Sequence, residues 1–142
     1  MGAMSIEDNK AVALRFFEEF ANGNLAAVAD LMAPDHVFHF PLAPGPQDKA
    51  QHVAGQQRVK KIFPDYRFEI VDQIAEGDLG MTRCIMRGTQ RGEFMGQPGT
   101  GQTFEVMLNN VMRIRDGLIV DEWDVLDTLS FLAQLGIVER PK

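Results

Sequence analysis

Residues 103–126 read TFEVMLNNVMRIRDGLIVDEWDVL, two apolar-rich stretches joined by Asp116-Gly117. An Asp-Gly pair between such stretches is the strongest short-range hairpin signal, because the favoured two-residue turn needs positive φ at both central positions. The spacing therefore predicts a long strand over Thr103–Arg115 paired antiparallel with a second over Leu118–Leu126. Side chains alternate along a strand, so Val106, Leu108 and Met112 share one face of the first strand while Met107 and Val111 share the other. A strand that is apolar on both faces needs cover on both. Helices can supply one cover, and a ligand or a second subunit the other. A homodimer is the expectation that follows.

Upstream, the period stays at two. After Pro64, Tyr66, Phe68, Ile70 and Ile74 alternate with Arg67, Glu69 and Gln73, and Gly77-Asp78 turns the chain into a further strand over Leu79–Gln90. The glycine- and proline-bearing segment Arg91–Gly101 then reads as a flexible hairpin loop. Before Pro64 the period is helical. Ser5 and Asp8 have capping-box spacing, and Ala13, Phe16, Phe17 and Phe20 follow on one face. Asn22-Gly23-Asn24 breaks that helix, and Leu25, Val28, Leu31 and Met32 carry a second to Pro34. His36 to Phe40 reads as a brief extended segment. A third, sparsely apolar helix over Asp48–Phe63 is expected on the surface. A final short helix runs from Thr128 to Gly136. Helices first and antiparallel strands afterwards give an α+β fold, with helices gathered on one side of a curved sheet.

A chain of 142 residues with 45% apolar and 24% charged side chains suits one globular domain, expected over residues 5–138. The net charge of -6 and the lack of a dense basic cluster argue against nucleic acid as a partner. Cys84 is the sole cysteine, so an intrachain disulfide is impossible and a reducing, cytoplasmic setting is expected. Met1-Gly2-Ala3-Met4 carries neither a basic leader nor an apolar run, which argues against membrane targeting and reads as a cloning remnant.

Several stretches could be taken for chemistry. Gly96-Gln97-Pro98-Gly99-Thr100-Gly101-Gln102-Thr103 approaches a phosphate-binding loop, but Gln102 stands where the lysine belongs and a strand follows in place of a helix. His36 and His39, three apart on a strand, point to opposite faces and cannot hold one ion. His52 is expected on an exposed helix, so no metal site is expected. The segment Asp121-Glu122-Trp123-Asp124-Val125-Leu126-Asp127 is the most informative. Alternation sends Asp121 and Trp123 one way and Glu122 and Asp124 the other, so at least one carboxylate is expected to face the interior. There, an apolar cavity raises its pKa from about 3.9 towards values useful for proton transfer.

The succession Phe16-Phe17-Glu18-Glu19-Phe20, Met32-Ala33-Pro34-Asp35, Ile62-Phe63-Pro64-Asp65-Tyr66-Arg67-Phe68, Arg91-Gly92-Glu93-Phe94-Met95-Gly96, Arg113-Ile114-Arg115-Asp116-Gly117 and Glu122-Trp123-Asp124 resembles the SnoaL-like polyketide cyclase family of the nuclear transport factor 2-like superfamily, over nearly the whole chain. The resemblance implies a cone-shaped α+β barrel whose helices close a concave sheet over a pocket, usually in dimers or tetramers. It also implies a general acid/base aspartate on the last strand, used for aldol closure of a polyketide ester. Asp124 falls at that position. The family's pocket histidine corresponds to Asn110, and the polar residue two before it to Leu108, which are departures. An amide still holds a carbonyl or enolate oxygen, though it cannot exchange a proton. The superfamily's epoxide-opening branch uses an Arg-x-Asp pair, which this sequence lacks.

The reading that results is a cofactor-free cyclase or isomerase acting on a small hydrophobic or polyketide-like molecule. Asp124 is expected as acid/base and Asn110 as oxygen-orienting donor, with Trp123, His39, Leu108 and Met112 lining the substrate pocket. A non-catalytic binding or dimerisation module on the same fold is the rival. An exposed Asp124, or a cavity filled by Leu108, Met112 and phenylalanines, would favour that rival.

Overall fold

The structure, a computed structural model, describes residues 5–142. The reading of Met1 to Met4 lies outside the described residues. In chain order the elements are α1 (Ile6–Ala21), α2 (Leu25–Asp30), β1 (Met32–His39), β2 (Gln47–Asp48), α3 (Lys49–Ile62), β3 (Arg67–Glu76), β4 (Leu79–Thr89), β5 (Thr103–Arg115), β6 (Leu118–Leu126) and α4 (Thr128–Gln134). The capping box of α1 forms as its spacing predicts: Asp8 N–H donates to Ser5 Oγ, and Ser5 N–H to the Asp8 carboxylate. Ala13, Phe16, Phe17 and Phe20 then form its buried face.

The six strands form one sheet in the order β2-β1-β6-β5-β4-β3, antiparallel except where β1 runs parallel to β6. The sheet is open, yet it curls far enough for Phe38 near one edge and Phe68 on the other to line a common cavity. Asp116 (φ 53°) and Gly117 (φ 76°) make the β5–β6 hairpin with both residues left-handed, the geometry that the Asp-Gly pair predicts. On β5 the even-numbered residues from Phe104 to Ile114 are buried on the concave side. No helix among the described residues is long and apolar enough to cross a membrane.

Three expectations are corrected. The second helix stops at Asp30, and Met32–His39, Pro34 included, is strand. Pro34 cannot continue a helix, and it pushes the residue before it towards extended backbone. Parallel β6 supplies the ladder, opening at Ile119 N–H to Leu31 C=O and Met32 beside Ile119. The third helix is no surface element either: its polar His52 and Gln56 are its buried residues. The loop after β4 is packed. Phe94 and Gln97 exchange backbone hydrogen bonds, and the Gln90 side chain donates to Gly92 and Gln97 carbonyls. A Cβ on Gly99 would stand 2.3 Å from the Arg91 carbonyl carbon, so only glycine fits there.

Cys84 sits on the concave face of β4 between Ile70 and Leu108, fully buried. Burial first, and then the nearby Asp124 charge, push its thiol up to about 12. Thiol reagents attack the thiolate, so native protein is expected to label far more slowly than unfolded protein. Rapid stoichiometric labelling without unfolding would contradict this burial.

Candidate functional site

The interior between α1, α3 and the concave sheet is hollow, with a cavity of about 530 Å³. Aromatic rings are prominent in its wall, including Phe16, Phe17 and Phe20 from α1, Phe38 from β1 and Phe68 from β3. A cavity of this size with so few polar groups suits a small, largely apolar organic molecule. Arg58 and Glu93 are exposed at its edge.

The deep polar groups come from β6 and its neighbours. Alternation puts Glu122 and Asp124 on one face, and where at least one inward carboxylate is expected, both line the cavity. In the β5–β6 register Asn110 stands opposite Asp124. Its amide nitrogen donates one bond to Glu122 (2.9 Å) and another to Asp124 (2.8 Å). A single amide therefore holds two carboxyl groups side by side in an apolar wall. Burial raises Glu122 well above the usual carboxyl range, the neighbouring Asp124 charge adds to that, and the Asn110 bond opposes it. Burial also pushes Asp124 up to about 6, against the same opposing bond. Of the two, Glu122 is the more deeply shielded from solvent.

Asn110 itself is buried and does not line the cavity. Instead of reaching a substrate oxygen, both of its N–H groups are spent on the carboxyl pair. Leu108 does line the cavity. Met112 does not; beside Glu122 in the ladder, it is buried in the core. Trp123 and His39 also lie elsewhere. They are register partners on β6 and β1 and stack at 5.2 Å between ring centroids on the convex face of the sheet. From Val37 on β1 and from Asp121 on β6, the odd-numbered positions point away from the cavity, so Trp123 cannot shape it and His39 cannot reach it.

The histidine that turns inward is His36, and it meets His52 from α3. His36 Nε2 and His52 Nδ1 are 2.9 Å apart, and Glu122 Oε1 lies 3.9 Å from His36 Nε2. Expecting His52 on an exposed helix was an error with a physical cause: α3 turns its polar residues inward, because they face the other polar groups of the cavity. His36, His52 and Glu122 have the residue types of a metal site. Their geometry favours a hydrogen bond. The rings are nearly coplanar, at 13°, and their 5.2 Å centroid separation is what a straight 2.9 Å bond between two rings leaves. The two nitrogens thus aim at each other and not at a shared ion. Tyr66, also at the cavity wall, donates its hydroxyl to the Met86 thioether, a weak acceptor.

Sequence reasoning missed Glu122 as the partner of Asp124, His52 and Tyr66. The first was accessible, since the same alternation that turns Asp124 inward turns Glu122 inward. His52 was not, because the helix carrying it shows no apolar stripe.

Comparisons with known proteins agree with this architecture. The family model for the SnoaL-like polyketide cyclase matches residues 11–135. IdmH from Streptomyces antibioticus, a candidate polyketide cyclase, is 38% identical with a TM-score of 0.80, over 90% of this chain and 98% of its own. AclR from Streptomyces galilaeus, a candidate hydroxylase, is 29% identical with a TM-score of 0.87, over 97% of this chain and 91% of its own. A SnoaL-like protein from Jannaschia sp. CCS1 is 22% identical with a TM-score of 0.84, over 99% of each chain, and speaks for the fold alone. Among curated proteins, none matches. With the family model spanning most of the sequence and helices covering an open, curled sheet around a cavity, the chain belongs to the SnoaL-like polyketide cyclase family.

Proposed function

We propose that the protein is a cofactor-free enzyme of the cyclase or isomerase type, which moves a proton next to a carbonyl with Asp124 as base and Glu122 as acid. One observation carries the reading: the Asn110 amide ties two carboxyl groups together on the wall of an apolar cavity. Two like charges so placed cannot both ionise cheaply, so the pair divides into an anion and a neutral acid near neutral pH. The raised position of Glu122 makes it the acid, and Asp124, at about 6, the anion. Asp124 takes the proton from the carbon beside a carbonyl, and that oxygen gains a hydrogen bond from Glu122. In an aldol-like closure the carbanion then attacks a second carbonyl carbon, and the new alkoxide takes a proton from Glu122. Asn110 positions the pair and touches no reacting atom.

Two features support this reading over a non-catalytic module. The cavity is open and not filled by side chains, and Asp124 is half-buried and faces it. IdmH, a candidate polyketide cyclase, is consistent with such chemistry. The convex face supports a homodimer. Met107 and Val125 are exposed there beside the Trp123–His39 stack, without helices over them.

Asp124→Asn keeps the side chain's size and removes its proton exchange. Exchange of the α-proton of a β-keto ester panel into heavy water, followed by NMR, should fall by ~10²–10⁴-fold with little change in binding. Unchanged exchange would remove the catalytic role. The same variant has a stability signature. Asp124 binds its proton more readily in the folded state, so the stability it contributes is complete below about 3.8 and is lost as pH rises through about 6. Asp124→Asn should therefore gain thermal stability on the wild type across that window and keep the gain at neutral pH. In wild type, kcat/KM should climb as Asp124 ionises near pH 6 and decline at higher pH as Glu122 loses its proton. A profile flat from acid to alkaline pH would count against the pair. Sedimentation should give a dimer at micromolar concentration, and a monomer there would refute the convex-face interface.

A further inference from the structure

The carboxyl pair leaves one inward chain of polar groups unused. It begins at the Ile119 carbonyl. The β1–β6 ladder shifts register between Met32 and Val37, across Pro34, which has no N–H to give. In that gap His36 Nδ1 bonds to Ile119 O at 2.9 Å. A carbonyl only accepts, so His36 carries its proton on Nδ1. Burial holds His36 below its ordinary pKa, so the ring is neutral and its Nε2 is a bare acceptor. The 2.9 Å bond to His52 Nδ1 then has one possible donor, His52. That leaves His52 Nε2 without a proton. Burial and the neighbouring His36 keep His52 neutral, its pKa lowered to about 3.

His52 is also clamped as a ring. Phe38 stacks on it at 3.7 Å between centroids, and Phe16 lies at 6.2 Å. The residue lines the cavity, and its hydrogen bond among the described residues is made through Nδ1, with none to Nε2. A fixed, unpartnered lone pair in an aromatic wall recognises a hydrogen-bond donor. Of the hydroxyls a largely apolar ligand can bring, one on an unsaturated carbon is more acidic and so the stronger donor to an imidazole nitrogen, and the phenylalanine-lined wall suits the flat group that carries it.

We propose that His52 Nε2 is a specificity-determining acceptor for the hydroxyl of an enol or phenol, with His36 as the positioning residue that fixes its tautomer. The ligand class is thus a planar carbonyl compound with an enolic or phenolic hydroxyl. The carbonyl part rests on the acid/base reading above, while the hydroxyl part stands without it.

NMR of protein with isotope-labelled histidine tests the first half. At neutral pH His52 should show a protonated Nδ1 and a bare Nε2, and a protonated Nε2 would overturn the proposal. His36→Phe removes the acceptor for His52 Nδ1–H and should move that proton towards Nε2. An unmoved tautomer would refute the positioning role. Added Zn²⁺ should leave both signals in place, and its tight binding at this pair would replace the proposal with a metal site. The second half uses naphthol and its methyl ether as probes in calorimetry. Naphthol should bind wild type about 5-fold to 10-fold more tightly, the worth of one hydrogen bond, and should shift the His52 Nε2 signal. Equal binding of the two probes would overturn the proposal, and this arm needs no variant to fold. His52→Phe should abolish the preference, whereas Asp124→Asn should keep it. Turnover that survives Asp124→Asn alongside an intact naphthol preference would sink the acid/base reading alone. Turnover lost with no naphthol preference would sink the His52 proposal alone.

Discussion

An ionised carboxylate inside an apolar wall is costly, and two of them sharing one hydrogen-bond donor cost more than the sum. The Asn110 amide is what makes the arrangement tolerable. Its two N–H groups meet Glu122 and Asp124, and the remaining strain is relieved by leaving a proton on one of them. The rest of the interior is arranged around that constraint. The β5–β6 register puts Asn110 opposite Asp124, a β-bulge between that pair and the Asp116-Gly117 turn shifts the ladder into that register, and the phenylalanines of α1 supply the low-dielectric surroundings that keep the pair protonated between them.

The strand next to β6 solves the same problem differently. His36 and His52 are buried polar groups on β1 and α3, and they bond to a backbone carbonyl and to each other, which leaves only His52 Nε2 open. Buried imidazoles that are neutral and hydrogen-bonded avoid the penalty of burying a charge. The carboxyl pair and the neutral imidazole pair are therefore neighbours, 3.9 Å apart where Glu122 approaches His36. This polarity distinguishes the site from a plain hydrophobic pocket.

Where the resemblance to the family implies a histidine, this chain has Asn110, and the structure shows what an amide does there. It serves the carboxyl pair instead of facing the ligand. The imidazole of the pocket comes instead from α3, as His52. The convex face, meanwhile, carries ion pairs such as Arg83–Asp72 and Arg113–Asp78 around its apolar centre. Exposed pairs of this kind contribute little to stability.

The sequence alone was enough for the α+β class, the shared face of Glu122 and Asp124, the β5–β6 hairpin and the aromatic face of α1. All of these rest on periodicity or turn chemistry, which are local. It also separated His36 from His39, because a spacing of three on a strand always divides two residues between faces. What it could not determine is which face is the inside. Trp123 and His39 looked like pocket residues and proved to be on the convex side, and Met112 filled the core beside the site. That choice is made by the folded molecule, because the curl of the sheet and the helices laid over it select the concave face. The same holds for His52. Its helix carries no apolar stripe, and the reason for its burial, the His36 ring bonded to it at 2.9 Å, lies sixteen residues away in the chain.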